Sequence, residues 1–167
     1  MRYTTDTTYL FKFIWLPIYV FLQLTWGILQ TLAGFILFLF YVKSPHDYYH
    51  GSIRTKWSTL NGISLGLFIF TPNEEDEHLL KSRQNNKARL KDQCDRISVH
   101  EYGHTYQSLI LGPLYLLIIG SVSWSWARRQ RYKSLRRKYG VPYSFCWTES
   151  WANTLGERVL KQPSITH

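Results

Sequence analysis

The chain is short of cysteine: Cys94 and Cys146 are the only two, and they form no C-x-x-C pair. They read as two reduced thiols in a cytoplasmic setting, or as one disulfide outside it. Charge is missing from residues 13–42, a run of 30 residues, and Lys12 is the sole charge across 10–42. Such a run exceeds the roughly 20 residues needed to cross a bilayer core, so the slightly negative mean hydropathy does not make this a soluble chain. Acid is missing from 127–140, "ARRQRYKSLRRKYG", which holds seven Lys/Arg. No small-residue cleavage site follows the first apolar run, which excludes a cleavable signal peptide and leaves a retained anchor. There is no glycine-rich phosphate loop, no serine or cysteine nucleophile with a paired base, and no internal repeat. The net charge of +9 comes with no nucleic-acid reader motif, so no nucleic-acid partner is expected. A basic cluster directly after an apolar segment instead marks a flank held against anionic lipid.

What is present is organised along one domain's length of 167 residues. Aromatic residues make up 17%, and Trp15, Trp26 and Tyr41 lie in or at the end of the apolar run, where interfacial aromatics are favoured. After a polar lead over 1–12, the anchor (domain 1–42) is expected as one tilted transmembrane helix. The alternative is a hairpin broken near Thr25-Trp26-Gly27. The rest, 43–167, is expected as a membrane-associated domain. In it, 43–56 reads as an interfacial loop with turn signals at Ser44-Pro45 and His50-Gly51. Asn61-Gly62 predicts a small β-hairpin over 57–70. Residues 73–96 read as a solvated, partly helical loop. A motif helix is expected from about Ser98 to Leu111, and a terminal helix from about Trp147 to Lys161, stopped by Gln162-Pro163. The fold class is thus a mainly α membrane protein.

His100, Glu101 and His104 spell H-E-x-x-H. On a helix, positions i and i+4 share a face, so both imidazoles can reach one ion, with the glutamate beside them to polarise water. Gly103 would let another segment approach closely. Catalytic zinc sites keep three protein ligands. Glu149, on the terminal helix, is the expected third ligand and Glu157 the fallback. Asn153 lies one turn after Glu149 and could support a ligating histidine.

H-E-x-x-H followed by a glutamate on a later helix resembles the gluzincin class of zinc metallopeptidases. "HEYGHTYQSLILGPLYL" together with "TESWAN" also resembles a group of small bacterial membrane proteins with an HEYGH-x-x-QS-x-x-LGPLYL pattern and a late T-E-x-x-A element. The resemblance spans roughly 60–156. It implies metal ligation by His100, His104 and Glu149 and a catalytic role for Glu101. The spacing of about 45 residues to Glu149 differs from the short spacing of the best-known soluble gluzincins.

His46 and His50 in "HDYYH" are also four apart, but Pro45 and Gly51 argue for a loop there rather than a metal-binding helix. His50, Tyr102, Tyr106, Tyr132, Tyr139 and Tyr143 are all open as stabilisers of a developing oxyanion. Ser108, one turn past His104, reads as a packing residue, and His78 and His167 as surface residues.

Topology links these elements. If 109–126 crossed the membrane, Glu149 would be stranded opposite His100 and His104. Gly112-Pro113 breaks the helix and predicts a re-entrant hairpin that returns the chain to the side it left. The positive-inside rule then places the site on the cytoplasmic side of the membrane, and the resemblance implies that this is a bacterial cell membrane. The expected activity is zinc-dependent hydrolysis of a peptide or protein at the membrane interface. The rival is a membrane-anchored interaction protein with a basic lipid-facing flank and a structural metal or none.

Overall fold

The computed structural model describes residues 7–165; residues 1–6 of the expected polar lead and His167 lie outside them. The chain is mostly helical, with one four-stranded sheet. Two helices come first, α1 (Thr7–Thr25) and α2 (Ile28–Phe40). The strands follow: β1 (His46–Tyr49), β2 (Ser52–Trp57), β3 (Ile63–Leu65) and β4 (Phe68–Pro72). Then come α3 (Glu77–Ser82), α4 (Lys87–Leu111), α5 (Ser121–Arg128), α6 (Gln130–Tyr139) and α7 (Trp147–Leu160).

The expected single anchor helix is broken instead. Among the described residues no single helix is long and apolar enough to cross a membrane, and Ile14–Thr25 and Ile28–Phe40 are bent by 89°. The break falls at Trp26-Gly27, the point of the hairpin alternative. Its cause is the polar content of an otherwise apolar run. Gln23 Nε2 donates to Thr105 O at 3.0 Å, Gln30 Nε2 donates to Ser108 Oγ at 2.7 Å, and Thr31 Oγ1 donates to Gln23 O at 2.8 Å. All three side chains are buried, and a polar group buried without a partner is costly. Only a folded-back chain brings them to α4 and to each other.

The sheet corrects two further expectations. Residues 43–56 are not a loop: β1 and β2 form an antiparallel hairpin with Tyr49 opposite Ser52. Its two-residue turn is His50-Gly51, with φ of 48° and 101°, the backbone that tight hairpins demand. The second hairpin joins β3 to β4 and turns at Gly66-Leu67, with Leu65 opposite Phe68, not at Asn61-Gly62. Strand order is β1-β2-β4-β3, with β2 and β4 parallel. Every residue of β4 is buried, as suits an inner strand. Arg54 ties the sheet together: it forks onto Asp47 at 2.7 and 2.6 Å and donates to Ser98 Oγ on α4.

The polar stretch 73–96 is more helical than expected. Asp76 caps α3 by accepting from Leu79 N, and Asn86 caps α4 by accepting from Arg89 N. The motif helix therefore begins at Lys87, three turns before the anticipated start. It ends at Leu111 on Gly112, whose φ of 52° leads into a short 3-10 turn through Pro113. Lys87–Leu114 and Leu116–Arg128 are bent by 112°, the turn expected of Gly112-Pro113. The core gathers Tyr19, Trp57, Phe68, Phe70 and Tyr102, so α1, the sheet and α4 share one apolar centre.

Candidate metal centre

Two glycines bring α4 and α7 together. A Cβ on Gly103 would lie 1.9 Å from Ala152 O, and one on Gly156 would lie 2.1 Å from Val99 O. Each helix thus rests its backbone on the other where no side chain intervenes. This crossing carries Glu149, in the first turn of α7, over the His100–His104 face of α4.

His100, His104 and Glu149 are buried, and one ligand atom from each lies within 4.8 Å of the others. Glu149 Oε2 is 3.1 Å from His100 Nε2 and 3.6 Å from His104 Nε2. The far nitrogens are held as well. His100 Nδ1 bonds Asn153 Oδ1 at 2.6 Å, and His104 Nδ1 bonds Gln107 Oε1 at 2.7 Å. Both amides are oriented by their NH2 groups, Asn153 donating to Ile165 O and Gln107 to Thr148 O. The Nδ1 atoms must therefore be the N–H donors, and each neutral imidazole turns an Nε2 lone pair toward the carboxylate. Lone pairs facing lone pairs at 3.1 Å repel unless a cation lies among them. Two protons could fill that role, or one metal ion. Ligands about 2.0–2.1 Å from a tetrahedral ion are roughly 3.3 Å apart, and the two histidine–carboxylate gaps bracket that figure. The group can hold a metal ion.

The charge state follows the same logic. Burial would raise the Glu149 carboxyl, but where His100 and His104 carry those protons and donate to it, their hydrogen bonds outweigh burial and hold the group well below its usual range. Glu101 goes the other way. Burial, with the Glu149 charge adding to it and His100 opposing, pushes Glu101 up to about 8. The two neighbouring carboxyls are thus shifted in opposite directions. A cation beside Glu101 would lower it again.

Sequence reasoning missed three parts of this site. Gln107 was passed over, although its i+3 spacing from His104 was a usable signal. Gly62 lies against Glu101: a Cβ there would be 2.1 Å from Glu101 Oε1. Tyr115 is buried, and its OH donates to Ser64 O at 3.1 Å. Of the open phenols, Tyr102 donates to His50 O and Tyr106 accepts from Trp15 Nε1. Tyr132 packs on Trp126, and Tyr139 is exposed. Tyr143 is the one whose phenol is pushed up by the charges of Glu149 and Glu101 after burial itself. The Arg136 guanidinium sits 5.4 Å from its ring centre.

Other candidates lie elsewhere. Glu157 accepts from Ser164 N and Oγ. His46 bonds Thr55 Oγ1 and Val42 O from strand β1, and Asp47 belongs to Arg54. His50 packs on Tyr49 and Tyr102. Ser108 donates to Gln23 Oε1 at 2.9 Å, a helix-packing contact. His78 is exposed, and both cysteines are buried and free. No protein family model matches the chain, and no curated protein or solved structure matches it either.

Proposed function

We propose that this protein is a membrane-embedded, zinc-dependent metallopeptidase that hydrolyses a peptide or protein substrate at the cytoplasmic surface of a bacterial membrane. The observation that supports the reading most is the convergence of two Nε2 lone pairs and a carboxylate on one buried point. Imidazole and carboxylate donors, with histidine–carboxylate gaps of 3.1 and 3.6 Å, suit zinc, and His100, His104 and Glu149 would hold it. Zinc bound there would supply a Lewis acid that activates water and polarises a scissile carbonyl.

The chain's own residues carry the rest. Asn153 and Gln107 fix the imidazole tautomers, so that the ligating nitrogens stay deprotonated. Glu101 accepts a proton from the attacking water and delivers it to the leaving amine. Gly62 leaves room at that carboxylate. Tyr143, within electrostatic reach of both glutamates, is the phenol positioned to donate to an oxyanion. The basic segment after α5 supports a cytoplasmic setting for the site, with anionic lipid as its neighbour.

A second reading has its own support. The three ligands and Glu101 are all nearly inaccessible to solvent, which also fits a structural ion in a membrane-anchored interaction protein. Glu101→Gln separates the two. Zinc retained with peptide hydrolysis abolished supports the peptidase. A wild type that binds zinc, cleaves no peptide in a broad peptide library, and is unaltered by Glu101→Gln would refute it.

A further inference from the structure

We infer that the two bent helix pairs form a single wedge that enters one leaflet of an anionic bilayer and returns. The metal centre, the chain before Ile14 and the chain after Arg128 then all lie on one side. The inference rests on the membrane placement proposed above, but on neither zinc nor hydrolysis.

The first ground is the inverted pattern of α1 and α2. α1 buries Gln23 and α2 buries Gln30 and Thr31, each at most 4% exposed, while both present apolar residues outward, with Phe21 64% and Phe40 80% exposed. An aqueous surface selects the reverse. The same exposure recurs on the return arm, where Leu117 is 70% exposed, so the apolar surface covers several arms rather than one dimer-sized patch.

The second ground is that the tips coincide. A Cβ on Gly112 would lie 2.2 Å from the Trp26 ring, and Gln30 Nε2 donates to Gly112 O at 3.1 Å. The bend of the first pair is seated directly on the bend of the second. Trp26 and Leu114, at the two tips, are themselves half exposed.

Length supplies the third ground. Ile14–Thr25, Ile28–Phe40 and Leu116–Arg128 are each about 18–20 Å long at 1.5 Å per residue. Set symmetrically about the membrane normal, bends of 89° and 112° carry the tips about 13–16 Å deep. A hydrocarbon core of about 30 Å has leaflets of about 15 Å. His100 lies 11 residues before Leu111, about 16 Å along α4 and about 14 Å in depth at that tilt, which puts the metal centre at the boundary between hydrocarbon and headgroups when the tips reach the midplane.

Charge names the lipid. The arms emerge at exposed Lys43 and Arg128, and α6 follows with five Lys/Arg and no acid. Each such residue near an anionic surface adds to the attraction. Buried polar groups between the pairs satisfy the backbone where the helices break, as irregular structure at membrane depth requires.

The test uses full-length protein carrying a cleavable tag at each end, in inverted and right-side-out membrane vesicles. It adds Leu114→Cys and Lys138→Cys variants probed with a membrane-impermeant maleimide. The expected result is that both tags and Cys at 138 react from the same face, and Cys at 114 from neither face until detergent is added. Tags reacting from opposite faces would overturn the wedge, since the chain would then span. Labelling of position 114 from the aqueous phase would overturn it too, as would a dimer that stays off vesicles containing phosphatidylglycerol. Zinc measured in the same vesicles keeps the proposals apart: one-sided tags with no zinc refute the peptidase alone.

Discussion

Gly103→Ala should disable the site without touching a ligand. The new Cβ would meet Ala152 O at 1.9 Å, and such contacts are essentially never shorter than 3.0 Å. The partner is backbone on a packed helix, so α4 and α7 must separate by about 1 Å along that line. Glu149 rides on α7 and the histidines on α4, so the 3.1 Å gap between His100 and Glu149 opens by a similar amount. Carboxylate ligation tolerates only about ±0.2 Å. Overpacking at a helix crossing costs about 1–3 kcal/mol, a fall in Tm of about 2–12 °C for a chain of this size. Zinc affinity should fall by about 100-fold or more, since one of three ligands is displaced. Competition with a chromogenic chelator reads the affinity, and thermal denaturation in detergent reads the stability. Wild-type zinc affinity together with an unchanged Tm would refute the argument that this glycine sets the distance.

Three other outcomes follow from the same geometry. Asn153→Ala removes the acceptor of His100 Nδ1 and should weaken zinc binding about 10–100-fold, read by the same competition; Asn153→Asp should restore much of it. Gly62→Ala places a methyl against Glu101, so zinc should remain while peptide hydrolysis falls at least about 10-fold; loss of zinc instead would show that Gly62 acts on the fold. The Arg54 hydrogen bond holds the Asp47 carboxyl below its usual range. Its stabilisation is therefore present above about pH 4 and lost as pH falls through the lowered folded value. The Tm difference between wild type and Asp47→Asn should shrink steadily below pH 4, and a difference that grows on acidification would contradict the pairing.

Residue by residue, the site was more legible than the fold. H-E-x-x-H has a fixed geometric meaning on a helix, and Glu149 with Asn153 at i+4 has another. The structure sets His100, His104 and Glu149 round one point, with Asn153 on His100. Gln107 was legible by the same i+3/i+4 rule and overlooked. Tyr115 and Gly62 were not legible, because Gly62 meets Glu101 and Tyr115 meets Ser64 only through contacts between segments about 40 to 50 residues apart in sequence. The helix break was ambiguous: "LTWG" contains no proline, and the same apolar count suits one span or two arms. What settles it is the need of Gln23, Gln30 and Thr31 for partners, and those partners sit on α4 and on each other. The sheet misled for a related reason. Asn61-Gly62 carries the strongest local turn signal, yet Gly62 is a glycine because Glu101 approaches it. His50-Gly51 and Gly66-Leu67, with weaker signals, make the actual hairpin turns. Local chemistry marks where a special residue is needed without saying which neighbour needs it.

The central claim is that His100, His104 and Glu149 together bind one metal ion. It is tested most directly by metal content on detergent-purified protein, comparing wild type with His104→Ala and Glu149→Ala. About one zinc per chain, lost or much weakened in both variants, is the predicted result. Zinc retained by Glu149→Ala, or no zinc in the wild type even after reconstitution, would contradict it.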